Sequence, residues 1–320
     1  SSGGVIQNTS GPGILLTNTG SVSLNWMQVL NGRDDGIRGS TVRGFTLNNS
    51  TINNNGDFAD ESGIELTNTT GTLSISNSTV TQSYSHNVLI TNTSGVLDNL
   101  TVTNSTFSSP KSSPVDGLSI TLPSGSPTIT AITVTNNTFT NNTGDAIGVN
   151  AEDYSTIGMF TFSGNTLTGN DIGVNVSSNG TASVKFDIKN NPIMHGTRTQ
   201  VNIAANDMIS RDGVGPTMEG YIRDNPSIMV TPSSYIGMWI VADGDGRITV
   251  DVSRNHLLNF GESGFSIESR NGQGRIDAQI KDNVIDPSTS ILSFAGLYLR
   301  SVHSIPTDTS YLCVNLDRNN

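Results

Sequence analysis

Residues 63–83 read GIELTNTTGTLSISNSTVTQS. Ile64 and Leu66 alternate with polar neighbours, and so do Leu73 and Ile75. A polar turn around Gly71 separates the two pairs, and Asn77-Ser78-Thr79 follows the second. Period-two alternation describes a strand with one buried face. The segment is therefore either a hairpin or one unit of a repeat.

The rest of the chain selects the repeat. Leu73, Ile75 and Ser78 form a template: apolar, any residue, apolar, then a small polar residue three positions on. It fits Phe45, Leu47 and Ser50, then Leu100, Val102 and Ser105, and it continues through Ile132, Val134 and Asn137. Further copies place the polar slot at Asn165, Asn191, Asn225, Asn255, Asn283 and Asn319. The spacing is roughly thirty residues, in the range of solenoids and arrays. A second motif recurs in phase, as GIEL at 63, NVLI at 87, AIGV at 146, GMWI at 237 and GFSI at 264. A third apolar position follows the polar slot, at Ile52, Val80, Phe107, Phe139, Leu167, Ile193, Leu257 and Ile285.

Three short strands in each repeat, with no segment of helical period, exclude horseshoes with helical backs. Propellers need four-stranded blades and a Trp-Asp type signature, which are absent. The expectation is an all-β parallel β-helix solenoid of about eleven coils, three short strands to a coil. No linker breaks the phase, so residues 1–320 read as one domain. Ile64, Leu66, Leu73, Ile75, Val134, Phe162, Ile188, Val252, Ile280 and Leu316 are expected to point inward. Ser50, Ser78 and Ser105, continuing as Asn137 through Asn283, are expected to stack as a polar ladder, as repeated Asn does in other stacked β structures. The repeat is already running near Gly13 and ends in the polar slot at Asn319, which suggests a piece of a longer protein.

Composition narrows the function. Hydrophobic residues make up 33% and charged residues 13%, and the net charge is −11. An acidic chain with no basic run does not suit nucleic acid, whose phosphates need clustered Lys and Arg. Cys313 is the single cysteine, so no intrachain disulfide can form. His86, His195, His256 and His303 lack metal-ligand spacing, and no apolar stretch is long enough to span a membrane. No leader sequence is visible at Ser1.

The phased motifs, typified by GIELTNTTGTLSISNSTV and AITVTNNTFTNNTGDAIGV, resemble the right-handed parallel β-helix of the pectate-lyase-like superfamily and of long bacterial surface and secreted proteins. The resemblance covers roughly residues 13–320. It implies a right-handed coil, and an extracellular or cell-surface location. It also implies polysaccharide or cell-surface glycan as the partner class. For pectate lyases it implies calcium-binding aspartates beside an arginine base. For polygalacturonases it implies Asn-x-Asp, Asp-Asp, Gly-His-Gly and Arg-x-Lys on neighbouring coils. Here Asp34-Asp35 is the one Asp-Asp, no histidine has a Gly-His-Gly setting, and Arg-x-Lys is absent. The fold hosts many activities, and these departures favour a non-enzymatic stalk or adhesive segment over a lyase, hydrolase or tailspike-like depolymerase.

Two groups of residues are candidates for a site. The late turns VADGDGR and ESRNGQGR bring Asp243, Asp245, Arg247, Glu268, Arg270 and Arg275 to similar phase. They suggest a carbohydrate- or ion-binding groove, since loops held by a rigid scaffold carry function. The simpler alternative is a solvated charged edge that adds little stability. Asp116, Asp145 and Asp171 precede the first strand in three consecutive coils. Stacked carboxylates suit calcium as the one cofactor to expect, although Asp also favours turns for its own sake. Trp26 and Trp239 are the aromatic residues suited to stacking on a sugar ring.

Overall fold

The computed structural model describes residues 3–207, 214–230, 235–287, 295–302 and 308–320. His303 lies outside the described residues. Within them the chain forms 33 strands and no helix. The strands fall into three sheets of eleven, and hydrogen-bonded neighbours in every sheet are three strands apart in the chain. Pairing is parallel throughout, as in Ile64–Thr67 beside Val88–Thr91 and Thr70–Ser76 beside Val96–Thr103. This is a parallel β-helix: the chain visits the first, second and third sheet in turn and then climbs one coil.

Alternation fixes what each sheet buries. The short strands of the first sheet place only their middle residue inside, so Ile52, Val80, Phe107 and Phe139 stack at 0% exposure. The rings of Phe107 and Phe139 lie 5.1 Å apart and nearly parallel. Longer strands of the third sheet contribute inward pairs such as Leu73 and Ile75 or Phe160 and Phe162. No single coil could bury these faces; the stack does so collectively. At Gly220 an inward slot has no side chain because the ring of Phe186, its neighbour in register, occupies the space. A Cβ there would come within 2.6 Å of that ring.

Nine of the ten side chains expected inside are buried, from Ile64 to Ile280. Leu316 is the exception at 49% exposure. It sits on Tyr311–Asp317, which pairs with Arg275–Lys281 on one side only, so no described strand covers its other flank. Ile280→Ala should therefore cost about 2–5 kcal/mol and Leu316→Ala well under that, because only the first opens a cavity. Urea unfolding of both variants checks this, and equal losses would contradict the placement.

The turn from the third to the first sheet is built of two residues. The first has positive φ, at Asn49, Asn77, Asn104, Asn136 and Asn190, with φ between 50° and 57°. Asn tolerates this left-handed region better than most residues. The second residue is the polar slot, and it forms the ladder. Ser50 N–H donates to Ser78 Oγ, Ser78 N–H to Ser105 Oγ, and Ser105 N–H to Asn137 Oδ1, at 2.9–3.1 Å. From Asn165 onward each Asn Oδ1 accepts both the N–H and the Nδ2 of the Asn one coil earlier, through Asn283 and Asn319. Each Nδ2 also donates to a strand carbonyl, as Asn165 does to Val134. The Asn-x-Ser/Thr triplets at Asn77 and Asn104 are this turn.

Two details depart from the sequence pattern. Ile193 is 37% exposed, and Met194 fills the inward slot opposite Leu167. The cause is Pro192: Asn191-Pro192 and Asn225-Pro226 each take one extra residue before the inward side chain, Met194 and Ile228. A second asparagine row also runs along the turn into the second sheet. Asn142 donates N–H and Nδ2 to Asn170 Oδ1 at 3.1 and 2.7 Å, and Asn87 Nδ2 reaches Asn142 Oδ1 at 3.2 Å.

Candidate functional site

A groove of about 1020 Å³ opens on the outer face of the second sheet in the late coils. Its floor follows from strand alternation. In Ser263–Arg270 the residues Phe265, Ile267 and Ser269 turn inward, so Ser266, Glu268 and Arg270 turn outward. Register then places Asn202, Trp239, Ser266 and Tyr298 in one row across the sheet, and Val241, Glu268 and Arg300 in the next. Tyr235, Glu262 and Arg198 complete the walls.

Glu268 organises this surface. It is 5% exposed, and its carboxylate accepts from Trp239 Nε1 at 3.1 Å and Ser266 Oγ at 2.9 Å through Oε1. Through Oε2 it accepts from Arg270 Nε at 3.0 Å, and Arg300 approaches to 3.9 Å. A buried carboxylate is tolerated when its oxygens are satisfied in this way. The guanidinium of Arg270 lies 5.2 Å from the centre of the Trp239 ring, a cation–π contact that holds the indole. The result is a fixed aromatic surface edged by hydrogen-bonding groups, the composition of a small-molecule or sugar site.

The structure separates the six late-turn candidates. Glu268 and Arg270 line the groove. Asp243 is the last residue of its strand, in register with Arg270, and its Oδ1 accepts from Asn271 Nδ2 and the Gly244 N–H. Asp245 does not face solvent: it is fully buried in the turn and accepts the Gln273 N–H at 3.1 Å. Arg247 and Arg275 begin strands of the third sheet, so they point away from the groove. Arg275 pairs with Asp277 and lies over Tyr311. The turn is too tight to let both sides share one face. Gly244 has φ +65°, and a Cβ on it would fall 1.5 Å from the Asp207 carbonyl. Trp239 lies in the groove, whereas Trp26 takes the left-handed turn position with φ 59°. Tyr298, Arg300 and Asn202 were missed; their signal was the register row, visible only once the strands are aligned.

Asp116, Asp145 and Asp171 lie at the leading edge of the same sheet, and only two of them converge. Asp116 Oδ1 accepts the Asp145 N–H at 2.8 Å. A Cβ on Gly148 would lie 3.2 Å from Asp116 Oδ2 and 3.4 Å from Asp145 Oδ2, so both carboxylates lean over this glycine. Asp171 instead pairs with Arg198 at 3.1 Å. Among the described residues no three His, Cys, Asp or Glu side chains gather as a metal centre. His86 Nδ1 accepts the Asp116 N–H at 2.9 Å, which places its proton on Nε2, and burial lowers its pKa.

Burial, and then the charge of Asp116, push the Asp145 carboxyl up to about 7 from 3.8, against the Asn175 hydrogen bond and Arg198. Between these values the folded chain holds a proton that the unfolded chain has released, so this group's contribution to stability falls as pH rises from 4 to 7. The melting temperature of wild type should therefore drop between pH 5 and pH 8 by more than that of Asp145→Asn. Identical pH dependence in thermal scans of the two proteins would count against it.

Comparison with known families agrees with the fold. A family described as a right-handed β-helix region matches residues 2–107. A family of proteins of unknown function, DUF1565, matches residues 85–220. The chain is a right-handed parallel β-helix. No curated protein matches it, and no solved structure does.

Proposed function

We propose that the chain is a non-enzymatic, glycan-binding segment of a stalk or adhesive protein at the cell surface or outside the cell. The observation that supports this reading is the groove on the second sheet, where Trp239 is held by Glu268 and Arg270 beside Tyr298. Rigid aromatic faces bordered by satisfied charged groups bind sugar rings by stacking and hydrogen bonding without needing a reactive group. The β-helix supplies a stiff, extended support for such a surface.

A second reading, a polysaccharide-acting hydrolase or lyase, is favoured by the Asp116 and Asp145 pair. A carboxyl pushed up to about 7 by burial and by a neighbouring carboxyl has the character of an acid–base group. A screen of immobilised polysaccharides, with reducing ends and unsaturated products measured with and without calcium, separates the two. Binding with no product is expected. Product formation that disappears in Asp145→Asn would replace the binding reading with the enzymatic one.

A further inference from the structure

Parallel stacking sets a fixed spacing on the outer face of the second sheet. Successive coils lie about 4.8 Å apart, and register carries each outward position to the next coil. The row Asn202, Trp239, Ser266, Tyr298 is one such series. Its two aromatic residues therefore stand two coils apart, roughly 10 Å along the solenoid axis. Both line the groove, and both are half-buried. Ser266, on the coil between them, is small and buried, and it donates its hydroxyl to Glu268 Oε1 at 2.9 Å. The row reads ring, no ring, ring.

The direction along the strands offers no such pair. On the same face Trp239 is followed by Val241 and Asp243, and Tyr298 by Arg300 and Val302. Arg270 and Arg300 line the groove beside the aromatic row. A sugar chain lying along the axis keeps its rings over that row and its hydroxyls beside the two guanidinium groups. A chain lying along a strand meets one ring and then charge.

Sugar chains differ in whether they can match this spacing. In a β-1,4-linked glucan or N-acetylglucosamine chain each pyranose is turned over relative to the last. The chain is a flat ribbon whose alternate rings present the same face, and its two-ring repeat is close to two coil spacings. An α-1,4-linked glucan coils, so its alternate rings leave the line.

We propose that the groove binds a β-1,4-linked, ribbon-like glycan laid along the solenoid axis, with one ring on Trp239, the next over Ser266 and the third on Tyr298. The proposal rests on the glycan-binding reading above and names the glycan class. Trp239, anchored by Glu268 and Arg270, takes the first ring. Tyr298 reads the linkage, because only a chain that repeats its face at the right distance reaches it.

Cello- and chito-oligosaccharides of two to six rings test this on the whole chain, with maltohexaose as glucose in the α-linkage. Binding is followed through the Trp239 indole signal of the nitrogen-15-labelled protein, which registers weak as well as tight complexes. Cellohexaose or chitohexaose should bind about tenfold more tightly than maltohexaose. Affinity should also rise about tenfold from two rings to three, where the chain first reaches Tyr298. Tyr298→Ala should erase that step and leave the disaccharide binding as it does to wild type. Tyr298→Phe should keep the step, since the ring is used and not the hydroxyl. Maltohexaose binding as well as the β-linked hexamers, or a step that persists in Tyr298→Ala, overturns the axial placement. If another polysaccharide of the screen binds and neither β-1,4 series does, the proposal falls and the glycan-binding reading stands. If no glycan binds at all, both fall.

Discussion

Asn225→Leu should destabilise the protein by about 2–6 kcal/mol, far more than an ordinary change at a turn. Leucine has nearly the size and shape of asparagine, so little of the loss comes from packing. What it removes is a set of partners. Asn191 donates both its N–H, at 3.0 Å, and its Nδ2, at 2.9 Å, to Asn225 Oδ1. Asn225 Nδ2 in turn supplies Ile188 O and Asn255 Oδ1. Asn191 and Asn225 are 0% exposed and Asn255 is 1%, so water cannot replace what is lost. Each buried group left without a partner costs about 1–3 kcal/mol, and the Asn191 N–H has no alternative among its neighbours. Asn319→Leu provides the contrast. That residue is partly exposed at the last rung, and water can reach Asn283 in its place. Urea unfolding of the two variants should give a large loss for the first and a small one for the second. A loss below 1 kcal/mol for Asn225→Leu would mean that the ladder is ornamental.

The ladder was legible because it repeats with the coil, and so was most of the core. Alternation assigns Ile64, Leu66, Leu73 and Ile75 to one side without any knowledge of neighbours, since a strand has only two faces. The failures are places where a local event shifts that count. Proline after Asn191 moves the inward position from Ile193 to Met194. Leu316 has the right phase but no coil beyond it among the described residues. The second asparagine row is less regular: Asn falls five residues after the polar slot at Asn55, Asn142 and Asn170, but Ser83, Pro110 and Gly196 take that position in other coils, so the repeat does not announce it.

The groove was legible only in part, because its residues are close in different senses. Glu268 and Arg270 are neighbours along one strand, so the sequence brings them together. Trp239, Asn202 and Tyr298 are neighbours across coils, and only strand register joins them. Asp245 and Arg247 are near in sequence to Asp243, yet the chain changes sheet between them. Charge in a turn therefore reveals little about direction: one residue faces the groove edge, the next is buried, and the third belongs to another face.

Glu268→Ala should reduce affinity for a groove-bound polysaccharide by about 30-fold or more, whereas removing both Arg247 and Arg275 should leave it unchanged. The carboxylate holds Trp239 Nε1, Ser266 Oγ and Arg270 Nε in one network. Without it the indole loses its anchor on one edge, and Arg270 loses the partner that keeps it over the ring at 5.2 Å. Truncating one member of a buried, hydrogen-bonded charge pair at a binding surface costs about 2–5 kcal/mol, and each 1.4 kcal/mol is a factor of ten. Arg247 and Arg275 stand in register with each other on the third sheet, with Arg275 committed to Asp277. They belong to a different sheet from the strands that floor the groove, and exposed pairs such as Arg275 with Asp277 contribute about 0–1 kcal/mol to stability. Affinity for the polysaccharide identified in the screen, measured by isothermal titration alongside circular dichroism of each variant, reads both effects. Binding that survives Glu268→Ala in a folded protein but is lost in the double arginine variant would move the site from the second sheet to the third.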